Sequence, residues 1–380
     1  MATTASTQKA GGPTERWVAL LGRRDAPTDG VEDYCRFLAG ALERRGILLE
    51  IARVDWFGSG WNHALHQLRE RCRDWGGNRI LLQYTAMAWS RRGFPFGAVA
   101  ALKILQENGA NAAVVFHEPF RQGGTRGIGW LRGVCQDWVV RALYKRANAA
   151  IFADPLKTIP WLPADRAKAT FIPIGANIPE SLPVTVAPRN RNGTSKTVTV
   201  FCLSDQPNRA RELEDILYAT RFSTAQGQRT RVVFLGRGTE DAAKEIEPLF
   251  RDSSVEISAL GLQSPDDVSR VLSESDVMLC VRGPLYPRRG SAIAGIACGL
   301  PIVAYAGAAA GTPLEDAGLA LAPYADREAL GRALVDVLMH DDLRKQLHER
   351  SIAAYREHFS WDVIAASYQK LLSIHSGAGN

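Results

Sequence analysis

In this 380-residue chain, the fold can be inferred from the stretch Ser275–Tyr305, SDVMLCVRGPLYPRRGSAIAGIACGLPIVAY. The apolar run Val277–Val281 predicts a buried strand, and Ile302–Tyr305 predicts a second one. Between them, the small residues of Ser291–Cys298 predict a short helix that ends at Gly299. A buried strand, a helix and another buried strand form the repeating unit of a parallel sheet with helices on its faces.

The loop that leads into this helix is strongly basic. Arg282, Arg288 and Arg289 surround it, and Gly290-Ser291 open the helix. The unsatisfied N–H groups of a first helical turn and the helix dipole favour an anion, and arginine adds bidentate donors that are always charged. We therefore expect a phosphate or diphosphate here, with Ser291 also able to cap the helix. The alternative is a charged, solvated loop without a ligand.

The same alternation of strands and helices runs along the whole chain, interrupted by the Pro-, Asn- and Arg-rich segment Pro179–Lys196. The predicted fold class is α/β, with two Rossmann-like, doubly wound domains facing each other across a cleft. The predicted organisation is a disordered lead-in over 1–15, a first domain over 16–180, a linker over 181–196, a second domain over 197–358, and a helix over 359–380 that crosses back to the first domain.

Composition is consistent with a cytoplasmic protein. The hydrophobic fraction of 46% suits two packed cores, and no apolar run is long enough to span a bilayer. The polar start MATTASTQKAGG lacks the apolar stretch of a secretory signal. The six cysteines are scattered, which predicts reduced core residues rather than disulfides.

The first half of the chain is the basic one. Residues 1–180 hold 24 Lys and Arg against 16 Asp and Glu, whereas the remainder holds 22 against 24. This predicts an anionic partner, such as a membrane surface, a phosphorylated acceptor or nucleic acid, or else a solvated surface without a partner. Nucleic acid is disfavoured because no recognisable binding module accompanies the charge. The basic, amphipathic segment Arg121–Arg146 could rest on the inner face of a membrane, or pack its apolar side into the core.

Five segments of the second half carry a family resemblance through their order and spacing. They are Val232–Gly238 (VVFLGRG), Gly261–Asp276 (GLQSPDDVSRVLSESD), Gly290–Tyr305, Gly307–Pro323 (GAAAGTPLEDAGLALAP) and Phe359–Tyr368 (FSWDVIAASY). Together they resemble the nucleotide-sugar-binding half of glycosyltransferases of the GT-B fold, in particular glycosyltransferase family 4, also called "group 1". The resemblance implies that the second domain binds a nucleotide sugar and that the first domain is on the acceptor side.

The chain departs from that family at two positions. Members carry two glutamates separated by seven residues, and the corresponding places here hold Tyr286 and Ala294. In the family, the second glutamate accepts hydrogen bonds from the ribose, which an alanine cannot do. The family's usual recognition of the donor ribose and sugar is therefore not expected here, and the cationic residues Arg282, Arg288 and Arg289 stand in this loop instead.

The resemblance and the local patterns together give the candidate site. The diphosphate is assigned to Arg209, Arg282, Arg288, Arg289, Gly290 and Ser291, and the donor base and sugar to Gly236, Leu262 and Tyr286. In the first domain, Asp29 and Gly30 of TDGVEDY form an acceptor or phosphate loop. His117 and Glu118 end the strand pattern VVFHEP and are the candidate catalytic residues, because side chains at the carboxyl end of a parallel strand face the ligand crevice.

The predicted function is transfer of a sugar from a UDP- or GDP-linked donor to a hydroxyl acceptor, saccharide or lipid-linked. The transfer is expected to be retaining and to belong to polysaccharide, glycolipid or glycoconjugate biosynthesis. No cofactor and no metal are expected, since Asp266-Asp267 lie at a helix start rather than in a metal-binding pair. Two alternatives stay open: a sugar-nucleotide epimerase on the same fold, and a degenerate, non-catalytic GT-B protein that acts as a binding partner.

Overall fold

The computed structural model describes residues 15–26, 28–122, 124–179, 195–251, 254–307 and 312–374. Almost all of the predicted lead-in and linker lies outside these ranges, but Glu15 and Ser195 each begin a strand. The described residues form two compact units. The first contains the residues up to Ile172 and those from Ile364 onward, and the second contains the described part of Pro173–Val363.

The first unit is a parallel sheet of six strands with the order β2-β1-β3-β4-β5-β6. Its elements are β1 (Glu15–Leu21), α1 (Gly30–Glu43), β2 (Ile47–Arg53), α2 (Trp56–Ser59), α3 (Trp61–Cys72), β3 (Arg79–Tyr84), α4 (Phe96–Glu107), β4 (Asn111–Phe116), α5 (Gly127–Arg146), β5 (Ala149–Phe152) and β6 (Ala169–Phe171). The central strands are buried on both faces, which is why they are near-continuous apolar runs. The strand order reverses between β1 and β3.

The second unit is also a parallel sheet of six strands, with the order β12-β11-β10-β7-β8-β9. Its elements are β7 (Ser195–Phe201), α6 (Asn208–Ala225), β8 (Arg229–Leu235), α7 (Ala243–Phe250), β9 (Glu256–Gly261), α8 (Pro265–Glu274), β10 (Val277–Cys280), α9 (Gly290–Ala297), β11 (Ile302–Tyr305), β12 (Leu319–Ala322), α10 (Arg327–Met339) and α11 (Asp341–Ala354). The order reverses between β7 and β10, as in the Rossmann fold.

The two doubly wound sheets confirm the predicted fold class. The sequence patterns missed β6 and β12, because both are edge strands of three or four residues and too short to show a period. Helix α11 is followed directly by a π-helical turn, Tyr355–Phe359. Of the helices described, none is long and apolar enough to cross a membrane.

The last helix, α12 (Trp361–Ile374), starts in the second unit and continues in the first. The indole of Trp361 is buried and donates to the carbonyl of Ala176 at 2.7 Å. Further along the helix, the buried hydroxyl of Tyr368 lies 2.9 Å from that of Tyr34 in α1. Each end of α12 is thus anchored by a buried polar contact within its own unit.

Candidate functional site

The candidate anion site lies where the strand order of the second unit reverses. The loops after β7 and β10 meet there, and such a switch point is where ligands bind in open α/β sheets. A cavity of about 10 Å³, room for a single water molecule, lies at this point. Its lining includes three of the predicted residues: Arg282, Arg289 and Ser291.

Arg289 has no direct ion-pair partner among the residues that the structure describes. Its Nη2 donates to the carbonyl of Arg282 at 2.7 Å, and its guanidinium carbon lies 5.6 Å from the ring centroid of Tyr286. The carboxylate of Glu212 acts on the guanidinium only from beyond ion-pair distance. Burial, followed by the charge of Arg282, lowers the pKa of Arg289. A bound anion would relieve both effects.

Arg282 extends the cationic surface toward the loop after β7. Its Nε lies 3.4 Å from the hydroxyl of Ser204, whose backbone N–H donates to the buried carboxylate of Glu212 at 2.8 Å. Ser204 was not among the residues predicted from the sequence. Its position just after the first strand of the domain could have marked it as a candidate. Arg288 lies partly buried in the same loop as Arg282.

The start of α9 provides backbone donors beside these arginines. The helix begins at Gly290, and Arg289 takes the N-cap position without a side-chain cap bond. The expected cap role of Ser291 is therefore wrong, because Ser291 is already the second residue of the helix. The N–H groups of Gly290 and Ser291 donate to no acceptor in the described part of the chain. They are the unsatisfied first-turn donors that bind anions elsewhere.

Arg209 is placed differently from the other predicted arginines. It is buried, its Nε donates to the carbonyl of Ser204 at 3.0 Å, and its Nη1 lies 3.2 Å from the carboxylate of Glu245. Its charge is therefore compensated within the protein, and its contacts hold the loop after β7. A contact between Arg209 and a donor stays a prediction.

The residues assigned to the donor base and sugar lie after three strands of the second sheet, β8, β9 and β10. Gly236 follows β8 with a φ of 85°, and a Cβ there would lie 2.9 Å from the sulfur of Cys202, so the position requires glycine. Leu262 follows β9 and donates its backbone N–H to Glu240 at 3.0 Å. Tyr286 is exposed, whereas Ala294, a residue of α9, is buried in the core of the second unit.

His117 immediately follows β4, and its protonation is set by its surroundings. Its Nε2 lies 2.7 Å from Oε1 of Gln83, and the Gln83 amide donates its own N–H to the carbonyl of Leu81 at 3.2 Å. The glutamine oxygen therefore faces the histidine, Nε2 carries the proton, and Nδ1 keeps a lone pair. Burial lowers the pKa of His117 to about 4, although the Asp29 carboxylate acts in the opposite direction. The imidazole is neutral at pH 7.

The other predicted site residues of the first unit are Glu118 and those of the loop before α1. The carboxylate of Glu118 accepts a hydrogen bond from the Gln122 amide at 2.5 Å. Asp29 is the N-cap of α1: one oxygen accepts the N–H groups of Val31 and Glu32 at 3.1 Å, and the other accepts from Arg53 at 2.8 Å. Asp29 thus has a structural role that sequence analysis did not assign.

No group of three or more His, Cys, Asp or Glu side chains able to hold a metal ion occurs among the described residues. Asp266 and Asp267 lie in the first turn of α8. There Asp267 contacts the hydroxyl of Ser264 at 2.7 Å and the guanidinium of Arg270 at 2.8 Å.

Comparison with known proteins identifies the fold. No family model and no curated protein matches the chain. Among solved structures, HepE of Anabaena in complex with UDP and glucose is 14% identical with a TM-score of 0.64, covering 95% of this chain and 100% of that one. Sucrose-phosphate synthase of Thermosynechococcus elongatus is 16% identical with a TM-score of 0.67, and the match covers 96% of this chain and 100% of that one. A structure assigned as a UDP-N-acetylglucosamine 2-epimerase from Listeria monocytogenes is 11% identical with a TM-score of 0.61, and the match covers 96% of this chain and 97% of that one. These similarities show a GT-B fold.

Proposed function

We propose that this chain is a glycosyltransferase that moves a sugar from a nucleotide-diphosphate sugar, UDP- or GDP-linked, to a hydroxyl acceptor. The fold is shared with HepE, whose structure contains UDP and glucose, and with sucrose-phosphate synthase. The observation that carries the proposal is the pair Arg282 and Arg289 at the switch point of the second sheet, neither of which has a carboxylate within ion-pair distance in the described part of the chain. A doubly charged leaving group is the ligand that such a pair best accommodates.

The donor diphosphate is proposed to bind at the start of α9. The backbone N–H groups of Gly290 and Ser291 would contact phosphate oxygens, with Arg282 and Arg289 on either side. The cavity itself admits about one water, so the phosphates would sit at its mouth, next to the exposed ring of Tyr286. In this arrangement arginines and helix N–H groups, rather than a metal ion, would stabilise the charge that develops on the leaving group.

The acceptor hydroxyl is proposed to bind at His117. A neutral imidazole with its Nε2 proton held by Gln83 leaves Nδ1 to accept a hydrogen bond from that hydroxyl. With a pKa near 4, His117 is too weak a base to remove the proton fully, so its role is to orient the hydroxyl. Retention of the anomeric configuration, and a place in polysaccharide, glycolipid or glycoconjugate synthesis, follow from the resemblance to family 4.

The test is nucleotide binding by calorimetry with UDP and GDP, on the wild type and on Arg282→Ala, Arg289→Ala and the double variant. Each charged donor to a phosphate contributes about 1.5–3 kcal/mol, so each single variant is expected to bind roughly 10- to 100-fold more weakly. Arg270→Ala is the matched control, because Arg270 is an exposed arginine of the same unit that pairs with Asp267. Unchanged binding in the double variant would refute the assignment.

Turnover separates the proposed function from its alternatives. A transferase releases the nucleoside diphosphate faster when an acceptor is added, and the anomeric proton of the product, followed by NMR, reports retention or inversion. An epimerase would convert the donor sugar without any acceptor. A non-catalytic relative would bind nucleotide and give neither product.

A further inference from the structure

Helix α5, Gly127–Arg146, has apolar side chains on two opposite sides. Val139, Val140 and Leu143 are buried in the core of the first unit. Side chains on the other side are open to solvent: Ile128 is 68% exposed, and Trp130 and Trp138 are each 55% exposed. Leu131 and Val134 lie between them and are also exposed. Residues 130, 134 and 138 are four apart, so they share one side of the helix.

This apolar surface continues onto the neighbouring elements. The ring of Phe96, at the start of α4, is 46% exposed and lies 5.8 Å from that of Trp138. We refer to Ile128, Trp130, Leu131, Val134, Trp138 and Phe96 together as the α5 face. Single exposed apolar residues are ordinary, but a contiguous group with two tryptophans and a phenylalanine indicates a surface that meets something apolar.

Basic side chains flank the α5 face along the chain. Exposed basic side chains near it in the chain are Arg91, Arg92, Arg121, Arg126, Arg141 and Lys145. Between residues 121 and 146 the sequence has six basic residues and one acid, Asp137. That acid lies 3.9 Å from Arg121. Exposed apolar side chains with basic side chains near them are complementary to a partner that has an anionic outer layer and an apolar layer beneath it.

We propose that the α5 face docks on the surface of a bilayer that contains anionic phospholipid. Tryptophan side chains prefer the boundary between headgroups and acyl chains, because the ring is apolar and its N–H still needs a polar partner. The surrounding arginines would be attracted by lipid phosphates, and their stems can lie along the acyl boundary. The inference rests on exposure and charge alone, and it is independent of the sugar-transfer proposal.

The experiment is co-sedimentation of the full chain with vesicles of phosphatidylcholine alone and of phosphatidylcholine mixed with phosphatidylglycerol. We expect binding to the anionic vesicles that weakens as salt is raised. Replacing both tryptophans, Trp130→Ser with Trp138→Ser, is expected to reduce the partition coefficient roughly tenfold or more. Arg126→Gln is expected to reduce it roughly fivefold, the effect of one charge near an anionic surface.

The controls remove the same kinds of group from the second unit. Tyr218→Ser removes an exposed ring, and Lys244→Gln removes an exposed charge. Both should bind vesicles as the wild type does. Thermal unfolding and circular dichroism of each variant show that it is folded.

Three results would overturn the proposal. The first is equal binding to neutral and anionic vesicles. The second is unchanged binding by the tryptophan variant. The third is a dimer in light scattering that the tryptophan variant abolishes while the wild type binds no vesicles, which would assign the α5 face to a second copy of the chain.

Discussion

Nε2 of His117 and Oε1 of Gln83 lie 2.7 Å apart, and this contact fixes the tautomer of the histidine. Gln83 is itself oriented by the bond from its amide N–H to the carbonyl of Leu81. The two residues lie 34 positions apart in the chain, at neighbouring strands β3 and β4. The sheet therefore places a neutral imidazole with a defined lone pair at the carboxyl end of β4.

Acid should destabilise the protein partly through His117. Its pKa is about 4 in the folded state, mainly because of burial, against an ordinary value of 6.5. The unfolded chain binds more protons between these values, so the stabilisation is complete above about pH 6.5 and declines as the pH falls toward 4. Between pH 7 and pH 5 this loss is about 2 kcal/mol in the free energy of unfolding.

Urea unfolding at pH 7 and pH 5 measures the effect. His117→Gln should lose less stability over that interval than the wild type, because glutamine does not titrate. His63→Gln, which replaces an exposed histidine on α3, serves as the control and should behave as the wild type does. If His117→Gln and the wild type lose the same amount, the histidine is not the group responsible.

Ala294→Glu should destabilise the second unit rather than restore a ribose contact. Ala294 lies on the buried side of α9 and is only 3% exposed, so the new carboxylate would be buried without a partner. We expect a loss of about 3 kcal/mol or more in the free energy of unfolding. Ala297→Glu, on the same helix but half-buried, should cost less. A stable Ala294→Glu protein that binds UDP more tightly would contradict this account of the helix.

The hydroxyl pair of Tyr34 and Tyr368 should couple α12 to α1. Both side chains are buried and their oxygens are 2.9 Å apart. Burial raises the pKa of both phenols, so they are neutral at physiological pH. Tyr34→Phe removes the hydrogen-bond partner of the buried Tyr368 hydroxyl, at a cost of about 1–3 kcal/mol, and Tyr368→Phe removes the same bond from its other side. The double variant should lose less than the sum, and a double-mutant cycle in urea measures the difference. Strict additivity would mean that the two hydroxyls do not interact.

Much of the fold could be predicted because its signals are local. A strand buried on both faces, such as Val277–Cys280, is an apolar run whatever its neighbours are. The arginine loop and the start of α9 were likewise visible within fifteen residues or so of sequence. The edge strands β6 and β12 were not, because a few residues at the margin of a sheet carry no periodic pattern.

The two doubly wound sheets and the basic loop ahead of α9 could be predicted from the amino-acid sequence alone, since both depend on the order of local patterns. Which charged side chains have an ion-pair partner follows from the three-dimensional arrangement alone. Arg209 pairs with Glu245, 36 residues away, whereas Arg289 has no described carboxylate beside it. Only the packing of α5 decided that Val139 enters the core while Trp138 faces solvent. Charge compensation and burial depend on distant parts of the chain brought together by folding, and no local pattern encodes them.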